Sequence, residues 1–194
     1  MDAEGFWSGG NWIAPEEDLF DADLSGDFLI GAELFGAYLS GANLTVASLV
    51  LADLTGAYLS KANLPTANLA YTYFVAADLT EADLSASNLQ GARLDGACLA
   101  GVSLEGANLA YSSLRGANLR GANLRGANLR GANSFWADIT GADLTGANIT
   151  GASWASATFA DVNATGLVDE HPLWPYELAG DDAFEEARWA LREA

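Results

Sequence analysis

The sequence predicts an all-β fold in which the chain coils around an apolar axis. A large apolar residue recurs at every fifth position from Leu19 to Phe159, and 28 of these 29 positions hold Leu, Ile, Phe or Trp. Only Ser134 departs from the series. A small residue, usually Ala, comes two positions before each large one, and Gly often comes two positions after it. Such strict internal repetition is typical of solenoid proteins.

Each five-residue unit supplies one extended side and one bend. Side chains alternate in direction along a strand, so Ala117 and Leu119 point inward while Asn118 points outward. The next two residues, Arg120 and Gly121, must turn the chain, and glycine accepts backbone angles that other residues resist. Asn also recurs at twenty-residue intervals, which favours four units per coil, although a fifteen-residue coil fits nearly as well. These residues are Asn68, Asn88, Asn108, Asn128 and Asn148.

The motif Ala117-Asn118-Leu119-Arg120-Gly121 resembles the pentapeptide-repeat family, and the resemblance covers roughly residues 17–163. It implies a right-handed quadrilateral β-helix with four pentapeptides per coil, and therefore about seven coils. Some members of this family have similar length and acidity and a C-terminal helix. They dimerise and occupy the DNA-binding saddle of DNA gyrase, which protects it from quinolones or toxins.

The predicted organisation has three parts. Residues 1–16 form an N-terminal cap, residues 17–163 form the β-helix, and residues 164–194 form a C-terminal lid and a short α-helix. The end of the β-helix is predicted after Phe159, since Ala164 is too small for the next core position. Around Ser134, a local bulge that moves Phe135 into the core is one alternative to an unbroken register.

The charge of the chain is strongly negative and unevenly distributed. The formal net charge is −18, and residues 1–60 hold ten acidic residues and no Lys or Arg. Such a charge repels nucleic acid and anionic membranes and favours a basic protein partner, although it could also serve solubility alone. No apolar run of eighteen residues occurs, so no membrane-spanning helix is predicted. The acidic N-terminus lacks the features of a signal peptide, so a cytoplasmic location is expected.

No catalytic, cofactor-binding or metal-binding residues are predicted. His171 is the only histidine and Cys98 the only cysteine, and neither has a sequence context for nucleophilic or metal chemistry. Phosphate-binding loops and zinc-ligand spacings are absent from the sequence. The chain is therefore predicted to be a binding protein rather than an enzyme.

Sorting outward residues by side predicts two binding surfaces. We number the sides from the one whose core includes Leu39. The first side is the most acidic, and its predicted partner-binding residues are Asp78, Glu81 and Asp138. The third side has no outward acid and presents an apolar strip, which is typical of an interface. The predicted contacts of that strip are Ile30, Val50, Leu51, Tyr71 and Tyr111.

Two functional hypotheses follow, and both make the chain a non-enzymatic protein-binding rod. In one, the acidic rod mimics DNA, binds DNA gyrase and protects it from inhibitors or toxins. In the other, it is a scaffold or interaction module for another protein partner. A homodimer is also expected through the C-terminal segment, because Trp189 falls outside the apolar arc of the predicted helix and calls for a partner.

Overall fold

The chain forms a four-sided, right-handed β-helix, as the computed structural model of residues 5–8 and 10–168 shows. Every fifth residue from Asp18 to Asn148 forms a parallel bridge with the residue twenty positions further on. Four pentapeptides therefore complete one coil. This bridging confirms the predicted quadrilateral β-helix and excludes the fifteen-residue alternative.

Backbone hydrogen bonds join each coil to the coils on both sides. The Leu89 amide donates to the Asn108 carbonyl at 2.7 Å, and the Asn108 amide donates to the Ser87 carbonyl at 2.9 Å. Within the coil, the Ala92 amide donates to the Leu89 carbonyl at 3.0 Å and closes a four-residue turn. The third residue of this turn, Gly91, has a left-handed φ of 67°, as a type II turn requires.

Many corners adopt the same left-handed conformation without glycine. In the described residues, fourteen non-glycine residues have φ values between 52° and 63°. They include Val46 and Thr66, whose branched Cβ makes this conformation costly. Hydrogen bonds to the neighbouring coils hold the chain in place on both sides of each corner, so the fold tolerates this strain.

The inside of the β-helix contains the predicted Ala and Leu residues, and nearly all of them are fully buried. On the outside of the third side, the predicted Asn ladder is present from Asn68 to Asn128. Asn88 donates to Asn68 at 3.1 Å, Asn108 to Asn88 at 3.1 Å, and Asn128 to Asn108 at 3.0 Å. These side-chain bonds run parallel to the backbone ladder and strengthen the contact between coils.

An antiparallel hairpin covers the N-terminal end of the β-helix. Its strands are β1 (Phe6–Ser8) and β2 (Asn11–Ile13). The Trp7 and Trp12 rings pack edge to face, with centroids 5.6 Å apart. Ile13 is buried and joins the core cluster.

The β-helix continues past the predicted boundary at residue 163. Asn163 bridges to Asp143, and Val168 bridges to Asn148. Ala164 is buried although it is small, so it holds the core position that was expected to end the register. The rest of the predicted lid and the predicted C-terminal helix lie outside the described residues.

No bulge forms at Ser134. The Ser134 amide donates to the Ser153 carbonyl at 2.8 Å, and Asn133 bridges to Ser153, so the register is unbroken. Ser134 remains inside and fully buried, and Phe135 stays on the surface. The buried core residue one coil further on is Trp154. We infer that the small Ser134 leaves room for this large indole, which makes a bulge unnecessary.

Candidate partner-binding surfaces

The predicted apolar residues lie at the corner between the third and fourth sides, which we call the apolar edge (Ile30, Val50, Leu51, Tyr71 and Tyr111). Four of these side chains are more than half exposed, and Val50 is half-buried. The exposed fractions are 59% for Ile30, 55% for Leu51, 52% for Tyr71 and 59% for Tyr111. The structure therefore brings the five residues together along one edge.

Two tyrosines make the apolar edge nearly continuous. The Tyr71 Cε1 atom lies 2.5 Å from the position that a Cβ atom on Gly91 would take, so the ring crosses to the next coil and covers Gly91. Tyr111 covers Gly131 in the same way, with Cδ1 at 2.7 Å from the corresponding position. Each ring thus spans two coils. The corner at Gly91, which contributes no side chain of its own, is closed by the ring of Tyr71.

Acidic residues border the apolar edge on its fourth side. Glu33 and Asp53 are directly opposite each other in adjacent coils. Neither carboxylate takes part in a salt bridge among the described residues. The third side, by contrast, presents the uncharged Asn ladder. The apolar edge therefore has one neutral border, and its other border is acidic in the coils of Ile30 and Leu51.

The three predicted residues of the acidic side do not form an open cluster of charge. Asp78 is half-buried and accepts a hydrogen bond from the Thr80 hydroxyl at 2.6 Å. Glu81 lies 3.7 Å from Lys61, and Asp138 lies 2.9 Å from Arg120. Because Asp138 stands three coils beyond Asp78, about 14 Å separates them along the axis. Partners within the rod already compensate Glu81 and Asp138.

Hydrogen bonds favour the charged form of two carboxylates, Asp138 on the first side and Asp143 on the second side. Burial tends to raise the pKa of Asp138, but hydrogen bonds from Thr140 and Arg120 outweigh it and lower the pKa. At Asp143, the hydrogen bond from the Thr145 side chain lowers the pKa against the opposing effect of burial, and Arg125 lowers it further. These two carboxylates therefore bond to residues of the rod itself, namely Thr140 and Thr145 at the adjoining corners.

An aromatic stack on the first side was not recognised in the sequence. The Tyr38 and Tyr58 rings lie nearly parallel, with centroids 5.1 Å apart. Asp18 precedes this pair in the bridge ladder and Asp78 follows it. The signal in the sequence is a tyrosine repeated at an interval of twenty, which becomes visible only when the coil length is known.

The described residues present little that could support catalysis. Cys98 is half-buried, and its Sγ lies 3.2 Å from the Thr80 hydroxyl and 3.9 Å from the Asn118 amide nitrogen. No group of His, Cys, Asp and Glu in residues 5–8 and 10–168 is arranged to hold a metal ion. The same residues contain no helix with the length and apolar character needed to cross a membrane. Trp189, the predicted dimer contact, and His171 lie outside the described residues.

Comparison with known proteins assigns the fold to a family. A model described as pentapeptide repeats matches the chain in eight copies, over residues 32–69, 47–85, 66–99, 97–133 and 137–167. The chain belongs to the pentapeptide-repeat family. Pentapeptide-repeat proteins are generally non-catalytic structural or interaction modules, and nothing in the described residues indicates enzymatic activity. The comparison with curated proteins found no significant match.

Several solved pentapeptide-repeat proteins are similar to this chain. HetL, involved in heterocyst differentiation regulation in the cyanobacterium Nostoc, is 28% identical, with 84% of this chain and 91% of that chain covered and a TM-score of 0.38. A protein from the Arabidopsis thaliana thylakoid lumen is 32% identical, with 53% and 61% covered and a TM-score of 0.37. QnrB1, a plasmid-mediated fluoroquinolone resistance protein, is 17% identical, with 92% and 95% covered and a TM-score of 0.35.

Proposed function

We propose that this pentapeptide-repeat protein is a protein-binding rod whose apolar edge docks on a partner. The observation that carries the proposal is the exposure of Ile30, Leu51 and Tyr71 along one edge, where apolar side chains of successive coils lie next to one another. An exposed apolar strip with a polar border is typical of a protein interface. Tyrosine is among the residues that contribute most to binding at such interfaces.

The fold suits this function because it presents the edge without rearrangement. The corner residues belong to turns that are hydrogen-bonded to the neighbouring coils, as the Tyr71 amide is to the Gln90 carbonyl at 2.9 Å. A preformed surface loses little conformational entropy on binding. The rod therefore acts as a rigid template whose partner must match the spacing of its coils.

The negative charge of the N-terminal coils indicates that the partner is basic beside its apolar groove. The residues up to position 60 carry ten acids and no base, and Glu33 and Asp53 border the apolar edge. A complementary partner has an apolar groove with Lys or Arg along one rim, since opposite charges across an interface favour association. Binding of this kind weakens with added salt but keeps an apolar, salt-insensitive component.

The test is affinity capture from cell extract by immobilised wild-type protein and two matched variants. Leu51→Ser with Tyr71→Ser removes apolar area from the edge, and we expect at least tenfold weaker capture, since central apolar residues each contribute about 1–2 kcal/mol. Tyr58→Ser, on the first side, should leave capture unchanged. Equal capture by all three proteins, or equal loss with Tyr58→Ser, would contradict the proposal.

A second candidate function is DNA mimicry directed at DNA gyrase, and the unpaired acidity of the N-terminal half favours it. The carboxylates of Glu33, Asp53 and Asp23 take part in no salt bridge among the described residues, whereas Asp138 is paired. A stiff acidic rod could occupy a basic groove in place of duplex DNA. Because Arg120 and Lys61 compensate part of the first side, the N-terminal acids are better probes than Asp78, Glu81 and Asp138.

This candidate is tested by binding to purified gyrase fragments at increasing salt, together with a supercoiling assay. DNA mimicry requires an affinity that falls steeply with salt and falls again when Glu33, Asp53 and Asp23 are replaced by their amides. Failure to bind at low salt excludes DNA mimicry directed at gyrase.

The expected homodimer through Trp189 stays a prediction, to be tested by light scattering on the full chain and on a chain ending at Gly180.

A further inference from the structure

A cleft on the fourth side is separate from the surfaces described above. Its volume is about 600 Å³, within the range of small-molecule sites. Its lining includes the small residues Ser113 and Gly116. The larger residues that line it include Arg93, Arg115 and Trp136. Two arginines thus line one cleft of a chain whose net charge is −18.

Arg115 lacks the carboxylate partner that two of the three equivalent arginines have. Arg120 and Arg125 occupy the same position in their pentapeptides, and each pairs with the Asp eighteen residues further on, at 2.9 Å and 3.1 Å. The residue eighteen positions after Arg115 is Asn133, which lines the cleft and carries no charge. No salt bridge in the described chain involves Arg115.

An aromatic ring positions Arg115 instead. The Arg115 Cζ atom lies 5.5 Å from the centroid of the Phe135 ring, which is a cation–π arrangement. The Phe135 and Trp136 rings are 4.5 Å apart between centroids. Trp136 is 64% exposed and has a left-handed φ of 60°, so a large flat apolar surface stands at a strained corner beside the guanidinium.

Arg93 also lines the cleft, where it forms a salt bridge with Asp95. Its Nε donates to Asp95 at 3.4 Å, and the Ser113 hydroxyl donates to the same carboxylate at 2.5 Å. The terminal guanidinium nitrogens of Arg93 take no part in that hydrogen bond. With two arginines and one aspartate, the charged residues lining the cleft sum to +1.

We infer that this cleft binds a small aromatic anion, meaning a single ring that carries a carboxylate or a phosphate. The anionic group bonds to Arg115 and Arg93, whose planar guanidinium groups match both anions. The ring packs on the exposed face of Trp136. Polyanions such as nucleic acid are excluded because the acidic rod repels them, whereas one small anion meets only the local positive charge.

The test is isothermal titration calorimetry with four probes: phenyl phosphate, benzoate, inorganic phosphate and benzyl alcohol. Phenyl phosphate or benzoate should bind at least about tenfold more tightly than inorganic phosphate, which has no ring, and benzyl alcohol, which has no charge. The tighter of the two aromatic anions identifies the anionic group. The inference is wrong if neither shows saturable binding at millimolar concentration, or if removing the ring or the charge makes no difference.

Matched variants locate the binding. Arg115→Gln should weaken the aromatic anion about tenfold, and Trp136→Gly should reduce its affinity to that of inorganic phosphate. Arg130→Gln is the control for the first, because Arg130 has the same position in its pentapeptide and also has an Asn, Asn148, eighteen residues later. Tyr111→Gly is the control for the second, because Tyr111 also has a φ of 60°. Equal effects of a variant and its control would overturn the assignment.

Discussion

Gly91, at the corner between the third and fourth sides, has a role in packing as well as in turning, whereas Gly96, at the next corner, has a role in turning alone. Gly91 and Gly96 have nearly the same left-handed φ, 67° and 66°. A methyl group on Gly91 would lie 2.5 Å from the Tyr71 ring, while one on Gly96 would meet nothing within 4 Å. The two positions therefore separate the effect of backbone conformation from the effect of the ring.

We predict that Gly91→Ala destabilises the protein more than Gly96→Ala. Both variants lose about 1 kcal/mol, because alanine resists the left-handed region. Gly91→Ala loses about 1–3 kcal/mol more, since the Tyr71 ring must move away from the new methyl group. Urea unfolding measures the difference, and Gly91→Ala in a Tyr71→Ala background should abolish it. Equal destabilisation in the wild-type background would show that the ring does not rest on Gly91.

The lowered pKa of Asp143 predicts a pH dependence of stability. A carboxyl group whose pKa is lower in the folded than in the unfolded chain stabilises the fold above the unfolded pKa, about 3.9 for Asp. This contribution is lost as the pH falls through the lower, folded pKa. Because hydrogen bonds from Thr145 and Arg125 hold Asp143 charged, Asp143→Asn should narrow the fall in Tm between pH 5 and pH 2. Parallel pH profiles for wild type and variant would contradict this account.

Among the elements of the rod, the core stack of the fourth side is the irregular one. It contains Leu94 and Leu114, then the fully buried Ser134, then Trp154. The Ser134 hydroxyl and the Trp154 Nε1 atom are buried without hydrogen-bond partners in the described structure. Packing rather than hydrogen bonding therefore explains why Ser134 and Trp154 occur together. The small and the large side chain fill the space that two stacked leucines fill elsewhere.

This pairing predicts a strong non-additivity. Ser134→Leu alone should destabilise the protein by about 1–3 kcal/mol through overpacking against Trp154. Trp154→Leu alone should destabilise it by about 2–4 kcal/mol through the cavity left beside Ser134. The double variant restores two stacked leucines, so its loss should be smaller than the sum by about 1 kcal/mol or more. Chemical unfolding of the four proteins gives the coupling energy, and strictly additive losses would refute the pairing.

The coil could be predicted from the sequence because one repeated pattern specifies it many times over. Each Ala-x-Leu unit independently predicts an inward pair, so the single exception at Ser134 did not obscure the core. The end of the coil was harder to predict. Ala164 breaks the size pattern, but the backbone bonds of Asn163 and Val168 to the preceding coil continue without a large core side chain.

The binding surfaces were only partly predictable, because they depend on contacts between coils. The apolar edge followed from sorting outward residues by side. Which acids form salt bridges could not be predicted in this way. The pairing of Asp138 with Arg120 depends on an eighteen-residue offset that only the coil geometry reveals. The same offset would have marked Arg115, opposite Asn133, as an arginine without an acid.

Across the whole molecule, charge is separated along the rod axis. The N-terminal coils carry acids without bases, while the later coils also carry arginines, of which Arg120 and Arg125 pair with acids. Glu33 and Asp53 are the clearest case of repulsion, because like charges directly opposite each other on adjacent strands are destabilising. The N-terminal half should therefore be the part of the rod whose stability responds most to salt.

We predict that Glu33→Gln raises stability at low ionic strength and that the gain disappears in about 1 M salt, where the Debye length is about 3 Å. At low salt the gain should be a few tenths of a kcal/mol, about what an exposed charge pair contributes. Glu105→Gln is the control, because Glu105 lies at a corner outside the bridge ladder and accepts a hydrogen bond from Asn123 at 3.2 Å. A gain that persists in high salt would point to a cause other than charge repulsion.

The unbroken twenty-residue bridge interval makes the rod a modular object with two kinds of length change. Removing residues 78–97 would delete one full coil, shorten the rod by about 4.8 Å and leave every later side chain on its original side. Removing only five residues would preserve the inward pattern just as well, yet it would rotate everything beyond the cut by a quarter turn. Ile30 and Tyr111 would then face different directions. Selection for a binding surface on one edge therefore permits insertions and deletions of whole coils and rejects those of single pentapeptides, even though the core cannot distinguish them.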